Sequence, residues 1–254
     1  MNNLMSKGWR PLVVIILCFV IWEAAVRLGS VPKWLLPAPT QIFQTAFQVL
    51  PDFFPQLLST VGLAVAGLLI GSGTGLFIAI VLHLLPKVKA AVYPLLIVSQ
   101  NIPTIVLAPL LVIWFGFGAL PKLIVIALVC FFPVVVSVLD GFRQIPRELH
   151  HYFAMAGASK VQAFLKLELP GSLPSLVSGL KIAATYSVMG AVISEWLGAE
   201  KGIGVFMTLA SSSFQTDRVF VSIFWIVALS LLFFGAVVGL EKRLLRWQPK
   251  EGEK

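Results

Sequence analysis

"HYFAMAGASKVQAFLKLELP", residues 151–170, mixes charge, glycine and apolar residues in a helical rhythm, and the chain on either side of it is continuously apolar. Before Gly157, the residues Ile145, Leu149, Tyr152, Phe153 and Ala156 fall on one helical face, with Arg147, His150 and His151 on the other. Gly157 can take the left-handed conformation that ends a helix. Ser159, followed three residues later by Gln162, has the pattern of a capping box, so a second short helix is expected from there to Pro170. That helix is only loosely amphipathic, because Glu168 shares a side with Val161 and Phe164. Two short helices joined by a small-residue turn make a compact knob. On periodicity alone, a knob gripped by a partner and a surface loop covering the ends of neighbouring helices are equally open.

The surroundings decide what kind of protein carries the knob. The chain is 58% hydrophobic and 12% charged, with a mean hydropathy of +0.95, against about 25% charged residues in soluble domains. Its apolar runs are continuous rather than alternating, which predicts an all-α integral membrane protein and not a barrel. Five runs are long enough to span, at residues 12–28, 57–85, 123–139, 176–196 and 220–240. Between the second and third lies "VYPLLIVSQNIPTIVLAPLLVIWFGFG", residues 92–118, apolar but interrupted by Pro94, Asn101, Pro103 and Pro109. It reads as one further span, broken near residues 100–103, for a total of about six.

The bases set the expected orientation, since cytoplasmic loops carry the excess of Lys and Arg. With the N-terminus inside, the inner segments hold Lys7, Arg10, Lys87, Lys89, Arg143, Arg147, Lys160, Lys166, Lys181, Lys242, Arg243, Arg246, Lys250 and Lys254. The outer segments hold only Arg27, Lys33, Lys122, Lys201 and Arg218. This asymmetry predicts both termini in the cytoplasm. It also accounts for the net charge of +8 without nucleic acid, because juxtamembrane bases face an anionic inner leaflet. The first apolar run reads as an uncleaved span rather than a secretory signal, and Cys18 and Cys130 as small hydrophobes inside spans. Thr40 and the rhythm of Ile42, Phe43, Ala46, Phe47 and Leu50 point to a short interfacial helix on the outer surface, with Trp34 beside it.

No catalytic pattern is present. "GSGTG", residues 71–75, lacks the Lys and Ser or Thr of a phosphate loop and is flanked by apolar sequence; Gly67, Gly71 and Gly75 instead predict a close helix contact. There is no hydrolase elbow and no histidine and carboxylate cluster with metal spacing, so neither an enzyme nor a metal site is expected. Glu23, Asp140 and Glu195 fall near span ends and are expected to reach water, whereas ion-driven carriers bury such groups. A stand-alone ion-coupled secondary transporter is therefore the alternative reading. For a solute path, Gln100 and Asn101 are the candidates for a polar lining, because amides inside a span need partners. Trp114, Phe115 and Phe117, and Tyr186 with Met189, are candidates for a passage suited to a flat or apolar molecule, although aromatics near span ends are more often interfacial anchors.

The knob also carries a resemblance. Permeases of binding-protein-dependent ABC importers share a signature of Glu-Ala-Ala, three residues, Gly, nine residues and Ile-x-Leu-Pro. Here Gly157 is followed by nine residues and then by Leu167, Glu168, Leu169 and Pro170; His151, Tyr152 and Phe153 stand where the Glu-Ala-Ala would be. "LPAPTQIF" (36–43), "QNIPTIVLAPLLVIWFGFG" (100–118), "LPSLVSGLKIA" (173–183) and "EWLGAEKGIG" (195–204) resemble the branch that imports sulfonates, taurine, nitrate and thiamine-precursor pyrimidines. The resemblance implies a type I ABC importer permease fold forming one transmembrane domain over residues 1–254, with a cytoplasmic coupling segment at about 143–170. It implies a second permease subunit, read as another copy of this chain, with two ABC ATPase subunits below and an extracytoplasmic solute-binding protein above. ATP would be used by the ATPases, with no cofactor bound by this chain, in a bacterial or archaeal plasma membrane. The coupling contacts would be Met155, Ala156, Gly157, Ala158, Ser159 and Lys160, and the path would include Gln100, Asn101 and Tyr186.

Overall fold

The computed structural model describes residues 2–247 and, within that range, not the side chains of residues 2–8 and 12. Lys250 and Lys254 of the charge count lie outside the described residues, as does the side chain of Lys7. Among the described residues all regular structure is helical. The long helices are α1 (Asn2–Leu28), α2 (Pro39–Leu84), α5 (Ala119–Arg143), α8 (Leu169–Glu195) and α10 (Thr216–Leu244). Between α2 and α5 come α3 (Pro86–Ser99) and α4 (Thr104–Phe115), bent by 98° at the break the sequence predicts. At 1.5 Å per residue neither arm reaches the roughly 30 Å of hydrocarbon alone. Counted together as one broken span, they bring the five long apolar helices to six. The remaining helices are α6 (Arg147–Met155), α7 (Lys160–Ala163) and α9 (Ile203–Ser212).

Proline chemistry explains one helix boundary and two continuations. Helix α2 stops at Leu85 because Pro86 disfavours helical backbone in the residue before it. The short outer helix expected over residues 40–50 is not separate, since α2 runs without interruption through Pro51 and Pro55. Each proline removes only its own backbone donor, and the turns on either side carry the helix on. The second short helix of the knob likewise does not end at Pro170. Helix α7 passes through one π turn, Phe164–Glu168, directly into α8. There the Leu169 N–H donates to the Phe164 carbonyl five residues back. The wider turn relieves the clash that a proline ring makes with the carbonyl four residues before it.

Helix α5 is the centre of the bundle, with Val134, Val135, Val138 and Leu139 fully buried. Small residues on two sides let its neighbours approach. A Cβ placed on Gly67 would lie 2.3 Å from Ile126, one on Gly71 would lie 2.4 Å from the Ala127 carbonyl, and one on Gly75 would lie 2.9 Å from the Phe131 carbonyl. On the other flank a Cβ on Gly179 of α8 would lie 2.9 Å from the Pro133 carbonyl. The contact predicted for the "GSGTG" region is thus made with α5. Near the C-terminal end of α1, Glu23 accepts from the Thr40 N–H (3.1 Å) and hydroxyl (2.8 Å), and Trp22 packs 5.3 Å from Phe220. Its outward side chains, Val13 to Ile21 among them, remain exposed as a lipid-facing surface would be.

Candidate functional site

Met155 to Lys160 form the tip of the turn between α6 and α7. Gly157 has φ +74°, and the Ala158 N–H donates to the Phe153 carbonyl (3.0 Å) while the Gly157 N–H donates to that of Ala154 (3.0 Å). This pair of bonds is a Schellman closure, which only a residue tolerant of positive φ completes without strain. Ser159 then starts α7. Its backbone N–H donates to Gln162 Oε1 (2.8 Å) and its hydroxyl accepts from the Gln162 N–H (3.3 Å). The predicted capping box is present. Ser159→Ala should cost this turn about 1 kcal/mol of local order, read as faster amide hydrogen exchange at Gln162. The six tip residues are exposed except Ala158, which is half-buried; Met155 reaches 82% exposure.

The face of α6 that turns toward the bundle differs in part from expectation: Ile145, just before it, and Phe153 are half-buried as expected. Leu149 and Tyr152 of the apolar face are exposed, whereas His150 turns inward. The reason is Glu168 on the π turn. Its carboxylate meets His150 Nε2 at 3.1 Å and His83 Nε2, from the end of α2, at 2.7 Å. The His83 ring stacks on Phe142 of α5 with centroids 4.0 Å apart. One carboxylate therefore ties α2, α6 and the π turn together beneath the tip. Sequence reasoning missed this tie. The available signal was Glu168 itself, the one charge on the apolar side of its helix.

A second set of predicted residues also converges. Gln100, Asn101, Tyr186 and Met189 line a cleft of about 410 Å³, together with Phe132 and Leu107. The α3–α4 break forms one wall, the middle of α5 the floor and α8 the other wall. Asn101 Nδ2 donates to the Ile97 carbonyl at 2.8 Å, which turns the amide oxygen toward no partner among the described residues. Trp114, Phe115 and Phe117 do not join this cleft and are largely exposed.

At the end of the bundle remote from the tip, Glu195 is 1% exposed, contrary to the expectation that it reaches water. It accepts from the Thr60 hydroxyl (2.7 Å) and the Gly204 N–H (2.8 Å), while Thr60 accepts from the Ile203 N–H (2.8 Å) and Gln56 from the Gly202 N–H (2.7 Å). The first turn of α9 leaves backbone donors without intrahelical partners, and its capping position, Gly202, has no side chain. Glu195 supplies the missing acceptor from another helix. A Cβ on Gly202 would sit 2.1 Å from the Glu195 carboxyl carbon, and its φ is +136°. Helix α9 went unforeseen because a ten-residue apolar run is too short to span and reads as a loop.

Comparisons with known proteins converge on one assignment. Residues 71–246 match the family described as binding-protein-dependent transport system inner membrane component. The formylaminopyrimidine transport permease protein ThiX of Halalkalibacterium halodurans is 37% identical, covering 96% of this chain and 98% of that protein. The riboflavin transport system permease protein RibX of Chloroflexus aurantiacus is 30% identical over 97% of this chain and 94% of its own length. The protein described as putative aliphatic sulfonates transport permease protein SsuC of Bacillus subtilis is 29% identical over 95% of this chain and 88% of its own length. In fold, the chain is similar to a subunit of the MetNI methionine ABC transporter in an inward-facing conformation, with a TM-score of 0.61 at 17% identity over 74% of this chain and 97% of that one. With the bundle of apolar helices, these matches make the chain a multi-pass permease of the ABC importer type: it belongs to the binding-protein-dependent transport system inner membrane component family.

Proposed function

We propose that the chain acts as one permease domain, paired with a second copy of itself, and that two ABC ATPase subunits drive it through the 155–160 turn. An extracytoplasmic solute-binding protein delivers the solute on the opposite side. ATP is hydrolysed by the ATPases, and this chain binds no cofactor and performs no catalysis. Both termini lie in the cytoplasm. The observation that carries the reading is the mechanical character of the turn: Met155, Gly157 and Ser159 are exposed and open to a partner, yet the turn is closed by its own capping bonds and anchored through Glu168 to α2 and α6. A lever must transmit displacement as a rigid body, and this one is braced at its base. Lys87 and Lys89 open α3, Arg143 ends α5, and Arg147, Lys160 and Lys166 lie in the segment that carries the turn; these are bases that the charge asymmetry assigns to the face toward an anionic inner leaflet. The Gln100, Asn101 and Tyr186 cleft is read as part of the solute path, which a facing second copy would enclose.

The test is co-purification. The tagged chain expressed with its candidate ATPase subunits should recover them from membranes. Gly157→Trp, which places a bulky side chain at positive φ, and Met155→Asp, which puts charge on the exposed tip, should each lose the ATPase while inserting and eluting as wild type. Full solute uptake by either variant would defeat the reading. Uptake driven by an ion gradient with no ATPase recovered from the wild type would establish the secondary transporter instead.

A further inference from the structure

The cleft names a class of solute. We infer that it accepts an uncharged, planar nitrogen heterocycle and rejects sulfonates and nitrate; this rests on reading the cleft as part of the permease's solute path.

The first argument is the location of charge. Among the described residues, no Lys, Arg, Asp or Glu borders the cleft. The charged side chains on the helices that build it are all committed elsewhere. Lys181 is paired with Glu241 at 2.8 Å, and Glu195 is enclosed by Thr60 and Gly204. Lys122 lines a separate cavity with Lys201, Asp140 sits beside Arg143, and Lys87 and Lys89 lie in the first turn of α3, far along that helix from Gln100. An anion entering an apolar cleft loses its hydration and needs a cation or several aimed donors in return. Here it would find no cation.

The second argument is what the lining does offer. Phe132 and Tyr186 present aromatic surface from facing helices, and Phe132 is held by an edge-to-face contact with Phe131 at 5.1 Å. Met189 adds a polarisable thioether beside Tyr186. Such walls favour a flat ring that stacks on them. At the α3–α4 break the Asn101 oxygen accepts, while the Gln100 amide and the Tyr186 hydroxyl both donate and accept. A ring edge that alternates ring nitrogens with amino or carbonyl groups matches that set; a sulfonate group only accepts, and the ammonium that taurine adds to it would lose its hydration with no carboxylate on the lining to meet it. The volume of about 410 Å³ lies toward the small end of ligand sites, which run from about 300 to 1,000 Å³. That is room for one or two fused rings.

Because a solute-binding protein filters what reaches the membrane, the experiment removes it. The permease and its ATPase are purified together in lipid nanodiscs, and binding of tritiated aminopyrimidine and of tritiated taurine is measured directly. The aminopyrimidine should bind and taurine should not. Tyr186→Ala and Asn101→Ala, both at exposed positions that do not support the core, should weaken binding about tenfold, the effect of losing one stacked ring or one aligned hydrogen bond. Tyr186→Phe should retain most of the affinity. Taurine binding that depends on Tyr186, aminopyrimidine binding unchanged by both alanine variants, or no binding of either compound would each overturn the inference. The permease reading fails by a different sign: no ATPase in the purified complex.

Discussion

Replacing Gly71 by valine should collapse the bundle, costing about 3 kcal/mol or more, the upper range for overpacking a tight contact. The first added carbon would stand 2.4 Å from the Ala127 carbonyl oxygen, 2.8 Å from Cys130 Cβ and 2.9 Å from Ala127 Cα. Two of those atoms are backbone, so no rotamer change makes room and α2 must separate from α5. Separation breaks the contact around which Val134, Val138 and Ala64 are buried. In lipid there is little hydrophobic force to restore it, because side chains and lipid tails are equally apolar; close packing between small residues is what holds such helices together. Gly73, two residues on, is the control. A Cβ there meets nothing within 4 Å, so Gly73→Ala should be neutral or slightly stabilising through its helix propensity, worth up to about 1 kcal/mol. Fluorescence-detected gel filtration of heated membranes distinguishes the two variants. Equal melting of Gly71→Val and wild type would show that the α2–α5 seam is not what holds the bundle.

The membrane spans were legible because a span is long and its signal repeats over about 20 residues. The glycine spacing in α2, the break before Pro103 and the closure at Gly157 were legible for a related reason: each is a local rule written in neighbouring residues. What escaped was tertiary. Glu168 spoiled the amphipathic pattern of its helix, and only the folded bundle shows that two histidines from elements far apart in sequence claim its carboxylate. His150 was placed on the outward face by periodicity for the same reason. Pro170 reads as a helix end in the sequence, yet the helix continues through it; proline breaks a single hydrogen bond, and whether the helix survives depends on what surrounds it. The cleft at the α3–α4 break was half visible. Amides inside an apolar run announced a polar lining, yet nothing local says that Gln100, in the α3–α4 break, and Tyr186, on α8, face one cavity.

Glu195→Ala should be among the most damaging single changes in the chain, at about 3 kcal/mol, whereas Glu195→Gln should cost about 1 kcal/mol or less. The difference follows from the donors. Alanine leaves the Gly204 N–H buried without an acceptor and opens a cavity where a fully buried side chain stood. Glutamine has an answer to each bond. Its oxygen accepts from Gly204 while its NH₂ donates to Thr60 Oγ1, whose own hydrogen turns to the Gln56 carbonyl 3.2 Å away. The N-terminus of α9 stays capped. The pair of variants also decides between the two modes of transport, because a carboxylate buried inside a span is where an ion-driven carrier would bind its proton or cation. In an ATP-driven permease Glu195 is a hydrogen-bond acceptor only, and the glutamine variant, reconstituted with its ATPase, should import at the wild-type rate. If that variant melts normally yet no longer transports, the carboxylate titrates or binds an ion during the cycle, and the ATP-driven reading fails at this residue.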